Sequence, residues 1–365
     1  MLLVGAVATT AIFAGAPAPA PASDVKSEVS KARDFFLSGI YQLALRTPHS
    51  LERAKQDFRQ AVRLDPKSDE ALAWLAKTYA VIGEAAQPAQ AADAFTLARY
   101  WADRALSANP RNAEAIAASA IVALYGSRNV ALAGQLLEQA LAISPNSAAA
   151  NHWYAVARMY QGDFDIALGH IQKAQNLSPR SPAIRATKGR ILALLGRSQD
   201  AKRELTDLIE SAPEFAAPYR YMAGLDLVEG RSAQFLKNME AVARIRKDTP
   251  LSAMISAAQS GVQEGGAGVT ATKIPELFAG QAGQPGNHAY LQARIAALQG
   301  DPEAAIAYLE QALALREQAV LAINIDPIFR EMRNSDRFIT IVRRLGLSPG
   351  EPVLANTDPV ASNTN

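Results

Sequence analysis

The chain has 365 residues, 49% of them apolar and 20% charged, with a formal net charge of +2. Acidic and basic residues are interspersed and no basic block stands out, so the sequence lacks the footprint of a nucleic-acid binder. Cysteine is absent, which excludes disulfides, cysteine-ligated zinc, thiol catalysis and a lipoprotein anchor.

Residues 1–16, MLLVGAVATTAIFAGA, are apolar and uncharged. A spanning helix needs about 20 residues; this segment instead has the length of a signal-peptide core and ends in an A-x-A shape, Ala14-Gly15-Ala16. No Lys or Arg precedes the core, however, and Pro17 follows it directly. The readings are an export signal, an uncleaved anchor or the rear of a membrane helix whose front was lost to a wrong start codon, and an Ala-rich leader. All but the last put the remaining chain outside the cytoplasmic membrane, periplasmic or tethered to the inner membrane through residues 1–16. The Pro/Ala-rich residues 17–25 are expected to be a semi-rigid spacer.

Helical patterning begins near Lys26 and gives about six helix pairs over residues 26–250. In the first, ARDFFLSGIYQLALRTPHS predicts a helix with a long turn after Tyr41, and LERAKQDFRQAVRLDP supplies its partner. The second pair is SDEALAWLAKTYAVIG and LARYWADRALSANP, joined by an extended Ala/Gln turn, and the third ends at Pro145. The fourth and fifth carry the clearest punctuation. Gly162, Ala167 and Pro179 recur thirty-four residues on as Gly196, Ala201 and Pro213, and Pro145 precedes Pro179 by the same step. Gly reverses the chain, Ala lets the second helix approach the first, and Ile171 and Ala174 (Leu205 and Leu208 in the next pair) continue the apolar face. Pro closes the pair. Ala54, Phe58 and Ala61 keep the same offsets, as do Ala98, Ala102 and Ala105. The sixth pair keeps Gly230 but places Phe235 at the small position, so its packing must differ.

Residues 251–283 read as an irregular connector: a helix, the breaker-rich stretch Gly261–Gly268, and a short helical piece, TKIPELFAG. The pattern returns over 284–347, with Gly300, Ala305, Leu309 and Ala312 in register, and INIDPIFREMRNSDRFITIVRRLGL supplies a terminal helix to cover the last apolar face. Residues 348–365 are polar and read as a disordered tail.

A fixed thirty-four-residue period with this punctuation resembles the tetratricopeptide repeat, whose units are helix–turn–helix pairs. The expected fold is all-α: a right-handed superhelix of antiparallel pairs with a C-terminal capping helix. The resemblance implies a concave inner face, lined by the first helix of each pair, that takes extended or helical peptides. The repeat positions that would point inward hold Glu70, Lys77, Glu114, Tyr125, His152, Met159, Tyr160, Arg190 and Arg220. For each, the competing reading is a solvated helix face or inter-repeat packing. The pattern that clamps a terminal carboxylate in chaperone-binding arrays is not reproduced, since its key position holds Ala73, Ala117, His152, Ala186 and Arg220. Trp74, Trp101 and Trp153 fall among apolar neighbours and read as core.

The opening, with its long turn, and the close, DPIFREMRNSDRFITIVRRLGL, together resemble the C-terminal arrays of membrane-bound winged-helix transcriptional regulators of the CadC/ToxR type. This chain carries no winged-helix segment, so the resemblance brings no DNA binding with it. His49, His152, His170 and His288 are scattered, and no metal-binding or phosphate-loop motif occurs. No cofactor, metal or catalytic residue is therefore expected. The reading is a non-enzymatic scaffold for a protein or peptide ligand, exported or tethered. The alternative is the sensory half of such a regulator, with its DNA-binding domain absent from this chain.

Overall fold

The computed structural model describes residues 22–86, 88–264 and 288–349. The apolar segment 1–16, most of the spacer, the piece TKIPELFAG and the tail from residue 350 lie outside them. The described residues are helical and contain no strand. They form a tetratricopeptide-type solenoid: α1 (Ala22–Leu45) pairs with α2 (Pro48–Leu64), α3 (Asp69–Ala85) with α4 (Pro88–Ala108), and α5 (Ala113–Ile121) with α6 (Val130–Ile143). Next come α7 (Ala148–Gln161) with α8 (Phe164–Leu177), α9 (Pro182–Leu194) with α10 (Ser198–Ser211), and α11 (Ala216–Val228) with α12 (Ser232–Arg246). After α13 (Thr249–Glu264), a last pair, α14 (Ala289–Leu298) and α15 (Pro302–Ala314), precedes α16 (Asp336–Arg344).

Local chemistry sets these boundaries. Ser68, Asn112 and Ser147 each accept a backbone N–H three residues on, at 3.1, 2.9 and 3.1 Å, satisfying a donor that the first turn leaves free. Gly162 and Gly196 close the first helices of their pairs at φ 91° and 74°, a left-handed backbone that costs a side chain-bearing residue about 1–2 kcal/mol. In the third pair Arg128 stands thirty-four residues before Gly162 and adopts φ 52° nonetheless. There α5 runs into a π-helical turn, Val122–Gly126, in place of the glycine.

The seam between paired helices is built from small residues. Ala54, Ala98, Ala133, Ala167 and Ala201 are fully buried, each in the first half of a second helix or, in the longer α4, midway along it. Large partners reach into glycine gaps on the first helices. A methyl group on Gly39 would sit 2.8 Å from the Phe58 ring, and one on Gly189 2.7 Å from Leu205. In the sixth pair the buried Phe235 belongs to a separate cluster with Leu236, Met254, Ile255, Leu291 and Ile295, so the substitution at the small position marks a change of core.

Two turns differ from the sequence expectation. Helix α1 continues past Tyr41 to Leu45, leaving only Arg46 and Thr47 before α2. The Ala/Gln stretch after Gly83 is mostly helix, because Ala and Gln are good helix formers and Pro88 suits a first helical position. The long turn that supported the regulator resemblance is thus absent.

The array also turns back on itself. The Arg246 guanidinium at the end of α12 donates to the Ala85 carbonyl at 2.7 Å, joining the sixth pair to the second. The segment that follows the last pair packs on the second and third. Gln318 Nε2 donates to Gly83 O at 2.8 Å, Arg316 Nη2 to Gly126 O at 2.6 Å, and Val130 N to Leu345 O at 3.4 Å. The terminal helix α16 is tied to α15 through Arg337, which donates to Glu310 at 2.7 Å and to Glu303 at 2.9 Å.

Replacing Ala167 by Leu forces α7 and α8 apart. The expected loss is about 1–3 kcal/mol of unfolding free energy, seen as a lower denaturation midpoint, with faster amide exchange in α6 and α9 because stacked units couple to their neighbours.

Candidate functional site

First helices line the inner side of the array, and the curvature brings several pairs around one cavity of about 340 Å³. Its lining comes from the α1–α2 turn (Arg46), the end of α3 (Glu84), the π-turn (Tyr125), α7 (His152, Trp153, Met159), α9 (Thr187, Arg190), α11 (Arg220, Tyr221) and α12 (Arg246). Tyr125, His152, Met159, Arg190 and Arg220, placed inward by the repeat register, all reach it.

Tyr125 packs edge-on against Trp153 at 5.9 Å, and burial raises the pKa of its hydroxyl well above the usual tyrosine range. Met159 is fully buried at the base. Tyr160 sits behind the wall and accepts a hydrogen bond from Arg190 Nη1 at 3.2 Å. Arg190 lies over two rings, 5.1 Å from Tyr160 and 5.3 Å from Tyr221, and Arg220 shares Tyr221 at 5.2 Å. These aromatic faces favour the guanidiniums without neutralising them.

Glu70, Lys77 and Glu114 do not reach the cavity. Glu70 is exposed and faces Arg33 at 3.7 Å. Lys77 is buried, with Nζ 2.6 Å from Glu114 and 3.4 Å from the centre of the Trp74 ring. Glu114 also accepts from Ser147 Oγ at 3.0 Å; although burial works against its charge, Lys77 holds its carboxyl below the usual range. The pair ties three successive units together, which is the packing alternative weighed for these positions.

His152 is buried beside Trp153, its Nε2 2.9 Å from Thr187 Oγ1. Burial, then the charges of Arg46 and Lys77, pull its pKa down to about 3, so the imidazole is neutral. Trp153 is buried, as its neighbours imply, but also lines the cavity and carries Arg46 5.6 Å from its ring. Trp74 and Trp101 are only partly buried.

Repeat register could not reveal Arg46 or Arg246. Arg46 sits in a turn at φ 58°, outside any helix face, and Arg246 ends a second helix. Among the described residues, no group of three or more His, Asp or Glu side chains could hold a metal ion, and no helix is long and apolar enough to cross a membrane.

The sequence model of the tetratricopeptide repeat matches residues 289–318. This stretch is the α14–α15 pair, where Gly300, Ala305 and Leu309 repeat the register of the earlier pairs. The chain is similar to the solved structure of TTC0263, a thermophilic TPR protein of Thermus thermophilus, at 21% identity over 52% of this chain and 97% of that one, with a TM-score of 0.41. It is also similar to a tetratricopeptide repeat protein from Parabacteroides merdae, at 14% identity over 88% of this chain and 99% of that one, again with a TM-score of 0.41. No curated protein matches the chain.

The neutral His152 gives a pH test. Its folded pKa of about 3 lies below the ordinary 6.5, so between these values the unfolded chain binds a proton that the folded chain does not. The stability this contributes is complete above pH 6.5 and is lost as pH falls toward 3. His152→Gln removes the term, so its melting temperature should fall less than that of the wild type on acidification from neutral pH.

Proposed function

We propose that the chain is a non-enzymatic interaction scaffold that holds a segment of a protein partner against its inner wall. The observation behind this reading is the convergence of successive repeat helices on one wall that presents Tyr125, Trp153, Tyr221, Arg190 and Arg220 together. Aromatic and arginine side chains dominate binding energy at protein interfaces, because they offer large contact area at modest entropic cost. The scaffold works outside the cytoplasm, periplasmic or tethered to the inner membrane; the apolar residues 1–16 and the Pro/Ala spacer behind them support this. The sensory half of a CadC/ToxR-type regulator remains the narrower form of the same proposal. It rests on the C-terminal close alone, now that α1 runs through the turn expected after Tyr41. Genomic sequence upstream of Met1 tests it: an in-frame winged-helix segment would support it, and an in-frame stop directly before a ribosome-binding site would remove it.

The test of the scaffold reading is affinity capture from periplasmic extract with the wild type beside the Arg190→Ala/Arg220→Ala double variant. A partner retained by the wild type and reduced at least about tenfold by the variant is expected, since hot-spot truncations cost about 2 kcal/mol or more. Equal recovery by the two proteins would contradict the inner wall as the binding face.

A further inference from the structure

The inner cavity carries a charge imbalance that a purely structural role leaves unexplained. Four arginines, Arg46, Arg190, Arg220 and Arg246, line one space of about 340 Å³. Three carboxylates also border it, but two are engaged by cations outside the lining: Glu52 by Lys55 at 2.6 Å and Glu214 by Arg244 at 3.2 Å. Glu84 is the third, and Arg46 approaches it at 3.6 Å. Among the described residues, Arg190, Arg220 and Arg246 have no carboxylate within ion-pair distance.

Arg220 is close enough to both Arg190 and Arg246 to feel their charge, while Glu84 acts in the opposite sense on Arg220 and Arg246, as Asp248 does on Arg246. The other contacts of these three guanidiniums hold them in place rather than discharge them: Arg190 on the Tyr160 hydroxyl, Arg246 on the Ala85 carbonyl, and Arg220 over the Tyr221 ring. A planar guanidinium fixed in this way is preorganised for a carboxylate or phosphate, which it meets with two parallel hydrogen bonds. The lining also carries apolar residues. Ala183, Ala186 and Ala217 leave room where larger residues would close the space, while Trp153, Val156 and Met159 supply contact area. The volume lies at the lower end of the range for small-molecule sites, and the Arg246–Ala85 bond joins two of its lining residues.

We propose that this cavity binds a small organic anion bearing two or more carboxylate or phosphate groups on a compact carbon body. Arg190 and Arg220 take one anionic group, Arg246 with Arg46 takes the other, and the carbon body rests on the alanine and Trp153 surface. Two or more charges are required because Glu84 alone cannot offset four guanidiniums around one space. The site shares Arg190, Arg220 and Trp153 with the wall proposed for the partner but does not rest on that reading, since the ligand needs only the folded chain.

The test is titration calorimetry on the purified full chain with citrate and with fructose 1,6-bisphosphate, and with acetate at matched ionic strength as the singly charged control. Binding of at least one multiply charged probe is expected at millimolar concentration or below, with none by acetate. Arg220→Gln and Arg246→Gln should each weaken it about tenfold, Arg246→Lys should weaken it less, and the exposed Arg203→Gln should leave it unchanged. A second readout needs no variant: the bound probe should protect Arg220 and Arg246, but not Arg203, from modification by phenylglyoxal, read by peptide mass spectrometry. Absence of binding by both probes, equal heats from acetate, or binding indifferent to Arg220 and Arg246 in both readouts would overturn the proposal. None of these outcomes bears on partner capture, so the two readings fail separately.

Discussion

Close approach of the two helices in each pair is the constraint on which the rest of the molecule depends. A helix can lie against its partner at this distance only where one contributes little more than backbone. The fully buried alanines on α2, α4, α6, α8 and α10 meet that need, and Gly39 and Gly189 meet it from the other side. Each pair still leaves an apolar face that it cannot cover, so neighbouring pairs must stack. One continuous core joins the first four pairs to the last one, with Phe58, Ile121, Leu137, Ile171, Leu309 and Phe329 all buried within it.

Departures from the repeat rule are where the array gains its shape. Phe235 at a small position opens a second core around α12, α13 and α14, which carries the chain out of the linear stack. The chain then returns to the second and third pairs, where backbone carbonyls at Gly83 and Gly126 accept from Gln318 and Arg316. The return has an electrostatic cost. Arg128 and Arg316 meet at this junction, and burial together with Arg316 lowers the pKa of Arg128 to about 10. The curvature also gathers Arg46, Arg190, Arg220 and Arg246 around one cavity, although they are spread over two hundred residues of sequence.

The helix pairs and their register were legible because Gly, Ala and Pro act locally: φ above zero, a missing side chain and a missing N–H each constrain only the nearest turn. The inward positions on α7, α9 and α11 were legible because the resemblance says which helix face turns inward and spacing then places residues on it. Two kinds of feature were not legible. Turn lengths near Tyr41 and Gly83 failed because helix propensity continued through residues that look like linkers. Lys77 and Glu114 share the inward register but spend their charges on each other across adjoining units, a pairing that depends on how the units stack. Arg246 failed for a further reason. It lies at the end of a second helix, and only the return of the sixth pair toward the second gives it an inner face.

The account stands on that return. The native chain has no cysteine, so a pair introduced by Ala85→Cys and Arg246→Cys can be joined with a short thiol-specific cross-linker at high dilution and located by mass spectrometry. A link formed within single chains, in most of the folded molecules and lost on denaturation before treatment, is the predicted result. Folded protein in which the two cysteines react separately, with no link between them, would mean that the array stays open and that the inner cavity does not exist.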